Sequence, residues 1–370
     1  MFKFKFRFKL NGIKLPSIKL PSIKLTSLKL PSLKLDSLKL DSLKLHSIFL
    51  PLKFMFIVAQ GGISRCRLCK FCGILWSMAT NSDIFDITKE VKVNSLKLSQ
   101  QHYENFPVAS FVLPKHLREP IALIYTFARQ ADDFADEGQH APDWRLANLQ
   151  GFKNELDLIQ NNAKTKSPFF SELGKMIHKY ELPLTPFYDL LDAFSQDVTK
   201  ERYANFYEVL DYCRRSANPI GTLLLHLFGK ATPENILYSN KICTALQLIN
   251  FYQDVSIDFD NEFHKTRVYL CQNEMQQFMV TEAQIASKHV NKHWEQFMLF
   301  NIERAEAMLK EGKPLEHILP GRIGLEMRLI ISGGERVIYK LKNVRGDIFR
   351  HRPTLQAWDW PVILLNALLK

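Results

Sequence analysis

No stretch of this 370-residue sequence is long and apolar enough to cross a bilayer, which takes about 20 residues in a helix. The most apolar early piece, 48–59, is interrupted by Pro51 and Lys53, and the apolar end at 360–369 is shorter still. Neither reads as an anchor or a targeting segment, so any membrane contact is expected to be peripheral, at the inner membrane. Acids are nearly missing from residues 1–77, where fifteen Lys and Arg face only Asp36 and Asp41. That segment accounts for the formal net charge of +11, because the rest of the chain carries 34 basic and 36 acidic residues. A body of near-zero charge offers no phosphate-backbone groove, and nucleic acid is not an expected partner. Cysteine is scarce, at six residues. Cys66, Cys69 and Cys72 have knuckle-like spacing but no fourth ligand at a usable distance. Cys213, Cys243 and Cys271 are scattered like free thiols in a reducing cytoplasm, the expected location. No strand, glycine-rich turn and helix follow one another, which argues against a nucleotide-binding sheet.

What is present falls into two textures. Residues 14–48 are seven copies of K-L-x-S-[IL], a period of five that suits neither a helix stripe nor strand alternation. A pentapeptide solenoid is the competing reading, but the array is short and its small and polar positions fit poorly. Residues 1–77 are therefore read as a low-complexity basic leader, disordered or not natively translated, with Met78 a candidate start and 78–99 a lead-in. From about Ser99 the apolar residues recur at three- and four-residue spacing between prolines. The spacing predicts helices over 119–137, 144–162, 168–181, 185–197, 205–228, 234–258, 281–311 and 322–345, with no strands. Pro219 predicts a kink in the fifth, or else two consecutive helices. One all-α domain over 100–365 is the expected architecture.

Two of these helices carry an unusual polar line. At about 100° per residue, Tyr125, Arg129, Asp132 and Asp136 share a stripe about 60° wide. Gln247, Asn250, Asp254 and Asp258 share one about 80° wide on a helix that is otherwise apolar. Carboxylates four residues apart repel on a bare helix, and burying them unpaired costs several kcal/mol. An ordinary acidic helix end would explain the first pair alone, but not the second. Of the cations near either line, only Arg129 is apparent. Two or three Mg2+ ions would neutralise four facing carboxylates, because Mg2+ takes carboxylate oxygens together with phosphate and water. The pairs thus point to a metal-assisted diphosphate enzyme.

The surrounding motifs resemble the squalene/phytoene synthase family across about 100–365, nearly the whole body. HYENFPVAS (102–110), YTFARQADDFADEG (125–138), DYCRRSANPIGTLLLHLFG (211–229), NFYQDVSIDF (250–259) and RVYL (267–270) closely resemble its hydroxysqualene synthase branch of bacterial hopanoid synthesis. The tail from Leu319 and the stretch FRHRPTLQAWDWP fit the same branch. The resemblance implies an isoprenoid synthase fold with helices around a central cavity. It implies Mg2+ and diphosphate ligands at Asp132, Asp136, Asn250, Asp254 and Asp258. Arg129, Arg267 and Tyr269 would meet the departing diphosphate; Phe106, Tyr125 and Tyr212 would line the channel and face a carbocation, with Gln247 near the reacting carbons. A break at Pro219 followed by Gly221 would leave room for an isoprenoid chain. His102 is a candidate for holding water, with a structural histidine as the competing reading. The sequence departs from the branch in the eight residues between Asp258 and Arg267, in Cys271 where a proline is frequent, and in Gly346 where an aromatic is frequent.

The implied reaction converts presqualene diphosphate and water to hydroxysqualene and diphosphate, with no NADPH. Sister enzymes that join two prenyl diphosphates such as farnesyl diphosphate, and non-catalytic relatives that act in assembly, are the alternatives. The two intact aspartate pairs argue against the last.

Overall fold

The computed structural model describes residues 112–260 and 266–370. The leader, the lead-in, the early cysteines, His102 and Phe106 lie outside the described residues.

Among the described residues the first elements are α1 (Lys115–Asp136), α2 (Pro142–Gln160), α3 (Pro168–Lys179) and α4 (Thr185–Asp197). Prolines at the first turns of α2, α3 and α4 supply the preset φ a helix start needs. Pro120 lies inside α1 and cannot donate to the carbonyl of His116. The Tyr180 hydroxyl donates to that carbonyl instead, at 3.3 Å, so the helix runs through the proline. The four helices share one apolar core around Phe127, Leu149, Leu173, Phe187 and Leu190, with edge-to-face contacts of Phe127 on Phe170 and Phe187.

A second core is built around α7 (Pro233–Phe259), which packs on α6 (Asn218–Leu227), α10 (Lys292–Gly312) and α12 (Gly321–Asn343). The Thr232 side chain caps α7 and the Asn291 side chain caps α10. Before α6 comes α5 (Phe206–Ser216), so the segment 205–228 is two consecutive helices meeting at Ala217, with Pro219 in the first turn of the second. Gly221 leaves no void for a chain. A Cβ there would stand 2.2 Å from Ser239 Oγ and 2.7 Å from Cys243 Sγ, so the glycine lets α6 and α7 meet closely.

The segment 281–311 is likewise not one helix: α9 (Glu282–Ala286) stops before α10, with Lys288 at φ 53° between them. A capping box at Thr281 and Gln284 starts the first piece. The all-α expectation is modified by one short parallel pair, β1 (Arg202–Tyr203) with β2 (Val268–Cys271). The remaining elements are α8 (Gln272–Gln277), α11 (Leu315–Ile318) and α13 (Asp359–Leu369), the last packed along α12. Gly346 lies at φ +73°, and a Cβ there would come within 2.5 Å of Met298 Cβ. An aromatic does not fit that corner, which accounts for the departure noted in the sequence.

Candidate active site

The end of α1 is held in place by one arginine. Arg145 is buried, and its guanidinium donates to the carbonyls of Phe134 (3.1 Å), Ala135 (2.8 Å), Glu137 (3.2 Å), Gly138 (2.6 Å) and His140 (3.2 Å). These are the carbonyls a helix end leaves unpaired, so Arg145 fixes where Asp136 sits. Arg129, about two turns back, stays with the acids of its own helix and its C-cap: Asp133 at 2.7 Å, Glu137 at 3.3 Å and Asp132 at 3.4 Å. Tyr125 is half-buried on the same helix.

The β1–β2 pair brings Arg267 across to Asp136. Val268 donates to the Glu201 carbonyl at 3.0 Å, and Arg267 N–H closes the return from α7 by donating to the Asp258 carbonyl at 3.1 Å. The eight intervening residues therefore do not displace it. Arg267 Nη2 donates to Asp136 Oδ1 at 2.8 Å and to the Asp197 carbonyl at 2.9 Å, while Nη1 donates to Tyr269 Oη at 3.0 Å. Burial works against its charge, but Tyr269, Asp197 and Asp136 outweigh that and keep the guanidinium protonated.

Asp197, at the end of α4, was not singled out in the sequence. It is buried and accepts hydrogen bonds from Tyr269 (3.1 Å) and Tyr212. The hydroxyl of Tyr212 is thus directed at a carboxylate, and its ring packs against Tyr203, Phe251 and Tyr269. Tyr269 stacks on Phe251, 3.8 Å between centroids at 8°. A second unanticipated group is Arg352, whose Nε donates to Asp254 Oδ1 at 2.6 Å. Arg129 is therefore not the sole cation near the pairs. Gln247 and Asn250 are half-buried on α7, about two turns and one turn before Asp254.

The two aspartate pairs share one electrostatic site. Burial, then the neighbouring Asp136, hold the Asp132 carboxyl above the usual carboxylate range. Burial, then Asp254, push Asp258 up to about 8, with Asp136 and Asp197 adding to the effect and Arg267 opposing it. Burial pushes Asp197 up to about 7 against the pull of Arg267. Yet Asp132 and Asp136 keep 36% and 35% of their side-chain surface open, so they stand at the mouth of a recess that a ligand can reach.

Among the described residues, no three acidic, His or Cys side chains close on one point as a ready cage. The donor set still fits Mg2+, which is usually held by one or two carboxylates plus substrate phosphate rather than by an all-protein cage. Burial first, and then the neighbouring carboxylates, disfavour the ionised form of these groups. A divalent cation offsets that penalty.

The squalene/phytoene synthase family model matches residues 99–359, which span both pairs, Arg267 and Arg352. The chain belongs to the squalene/phytoene synthase family. It is a mostly helical enzyme of isoprenoid biosynthesis. Hydroxysqualene synthase of Sinorhizobium fredii is 31% identical over 240 residues, 65% of this chain and 80% of that protein. Phytoene synthase of Arthrospira platensis is 25% identical over 301 residues, covering 79% and 94%. The crystal structure of squalene synthase HpnC from Alicyclobacillus acidocaldarius superimposes with a TM-score of 0.62 at 32% identity, covering 69% of this chain and 94% of that one. A dehydrosqualene synthase with a bound ligand has a TM-score of 0.67 at 18% identity, which speaks to the fold alone.

Proposed function

We propose that this enzyme converts presqualene diphosphate and water to hydroxysqualene and diphosphate, with Mg2+ held by Asp132, Asp136, Asn250, Asp254 and Asp258. The observation that carries the reading is the coupling of the two aspartate pairs through Asp136, with Asp258 and Asp132 held above their ordinary range by burial and by like charge. The likeness to hydroxysqualene synthases supports the choice of product.

In this reading Mg2+ supplies the positive charge that draws the diphosphate and its leaving electron pair. Arg267 sits beside Asp136, where its guanidinium would meet a diphosphate oxygen, while the Tyr269 hydroxyl accepts from Arg267 and donates to Asp197 and so backs that arginine. The C–O bond of the substrate breaks with both electrons on the diphosphate. The cyclopropylcarbinyl cation rearranges among the aromatic side chains, and a water oxygen attacks the carbon and loses a proton. Asp197 orients Arg267, Tyr212 and Tyr269 without touching the substrate. Arg352 holds the Asp254 carboxylate in place, and that carboxylate would be one of the Mg2+ ligands.

The second reading, joining of two prenyl diphosphates head to head, is favoured by the likeness to phytoene synthases. Purified protein is incubated with Mg2+ and either presqualene diphosphate or farnesyl diphosphate, without NADPH, and the lipid extract is analysed. Hydroxysqualene from presqualene diphosphate is the expected result. Product from farnesyl diphosphate alone would replace the first reading by the second, and no product from either would overturn both.

A further inference from the structure

A serine or threonine inside a helix often turns its hydroxyl onto the carbonyl one turn back. Thr126 and Ser195 do so here, onto Ala122 at 2.8 Å and Leu191 at 2.6 Å. Ser216, at the end of α5, does not. Among the described residues its buried Oγ meets no hydrogen-bond partner, and the same holds for Asn240 Oδ1 on α7. Buried polar atoms left in this way mark the places where a fold holds water.

The two atoms belong to one polar line. At about 100° per residue, Asn240 and Thr244 extend the α7 stripe of Gln247, Asn250, Asp254 and Asp258 within an arc about 120° wide. Cys243 and Phe251 are the other residues in that arc. From Asn240 to Asp258 the line is about 27 Å long. Its outer end opens at a surface cavity of about 300 Å³, lined by Asn218, Thr222, Asn240 and the Asp189–Arg214 pair. Further in, Thr244 is buried and its hydroxyl donates to Asn218 Oδ1 at 3.0 Å, which joins α7 to the start of α6. Ser216 lies two residues before Asn218 and one turn after Tyr212, on the same side of α5. Tyr212 in turn packs on Phe251 and Tyr269 beside the aspartates. A file of amide and hydroxyl groups thus leads from solvent to the aromatic side of the recess.

We infer that this file is the path of the water that the reaction consumes, with Asn240, Thr244 and Ser216 as its positioning residues. The inference rests on the proposed hydration of the cation. A site that forms a carbocation excludes bulk water, yet this product needs one water at one carbon. A route with an amide or hydroxyl partner at each step admits waters singly. At its inner end the water oxygen bonds the cationic carbon. The proton released passes to the next water and leaves through the cavity beside Asp189, and no oxidant or reductant takes part.

The test compares the whole chain with Ser216→Ala, Thr244→Val and Asn240→Leu in single turnovers of presqualene diphosphate, with Mg2+ and without NADPH. Diphosphate release and lipid products are measured together. Ser216→Ala removes a single oxygen and keeps the test open if a larger change prevents folding. None of the three side chains is a proposed metal or diphosphate ligand, so release should stay within about twofold of wild type. Hydroxysqualene should fall about fivefold relative to the hydrocarbon formed when the cation loses a proton instead, the effect of one hydrogen bond on the partition. An unchanged product ratio in all three variants would overturn the inference and leave the proposed reaction standing. A fall of alcohol and diphosphate release in step would mark a structural role and overturn it too. Wild type that releases diphosphate without forming the alcohol would remove the proposed reaction, and the inference with it.

Discussion

Lowering the pH from 8 to 6 should weaken the affinity for Mg2+ steeply, in a way that the recess itself sets. In the folded protein Asp258 titrates at about 8, against about 3.9 for an unfolded aspartate. A folded pKa raised above the unfolded one means that the protonated form is favoured in the fold. The stability contributed by the protonated carboxyl is complete below about pH 4 and is lost as pH rises through 8. After allowance for solvent screening, the penalty at pH 8 is on the order of a few kcal/mol. Mg2+ binds the ionised carboxylate, so it must displace the proton below pH 8 and finds the ligand free above it. About 1% of a group titrating at 8 is ionised at pH 6 and about half at pH 8, so the metal affinity should rise roughly fiftyfold. Calorimetric titration with Mg2+ in two buffers of different ionisation enthalpy reads both the affinity and the protons released, with about one proton expected from Asp258 on binding at pH 7 and a further one from Asp132. In parallel, the metal-free protein should lose Tm from pH 5 to 8.5, and Mg2+ should restore it mainly at the upper end. An affinity that stays flat between pH 6 and 8, or is unchanged in Asp258→Asn, would refute the reasoning.

Other outcomes follow from single contacts. Asp132→Asn and Asp254→Asn should each lower turnover at least a hundredfold while circular dichroism and Tm stay near wild type. Arg145→Ala leaves five backbone carbonyls without their donor and should cost about 3 kcal/mol, read as a Tm loss of roughly 5–10 °C. Gly346→Ala meets both a left-handed backbone and Met298, and chemical denaturation should show a loss of more than 1 kcal/mol. Asp197→Ala orphans two buried tyrosine hydroxyls and should destabilise the protein by about 2–5 kcal/mol, whereas Asp197→Asn should retain most of that stability but raise the KM for the diphosphate substrate.

The two aspartate lines were legible because a carboxylate repeated every fourth residue on an apolar helix has few structural uses. Eight periodic segments led to the helices, and the misses have local causes. The long segment at 281–311 has no proline, and its break depends on Lys288 taking a left-handed conformation that periodicity does not register. The β1–β2 pair was too short to leave an alternating pattern. Asp197, Arg145 and Arg352 were invisible for a different reason. Asp197 stands at the end of an ordinary amphipathic helix and Arg145 in the first turn of another, positions where an exposed charge is the usual reading. Their roles come from partners far along the chain, Arg352 from Asp254 98 residues away. Arg267 was found through its motif, but its bond to Asp136, 131 residues distant, emerges only in the fold.

That bond has a consequence for how the enzyme fails with heat. Asp136 belongs to a helix of the first apolar core, whereas Arg267 leads into a strand of the second. The pair therefore ties two apolar clusters of one compact unit together. Loosening either cluster on warming should part Arg267 from Asp136, so the reaction should be lost together with the main melting transition rather than survive part of it.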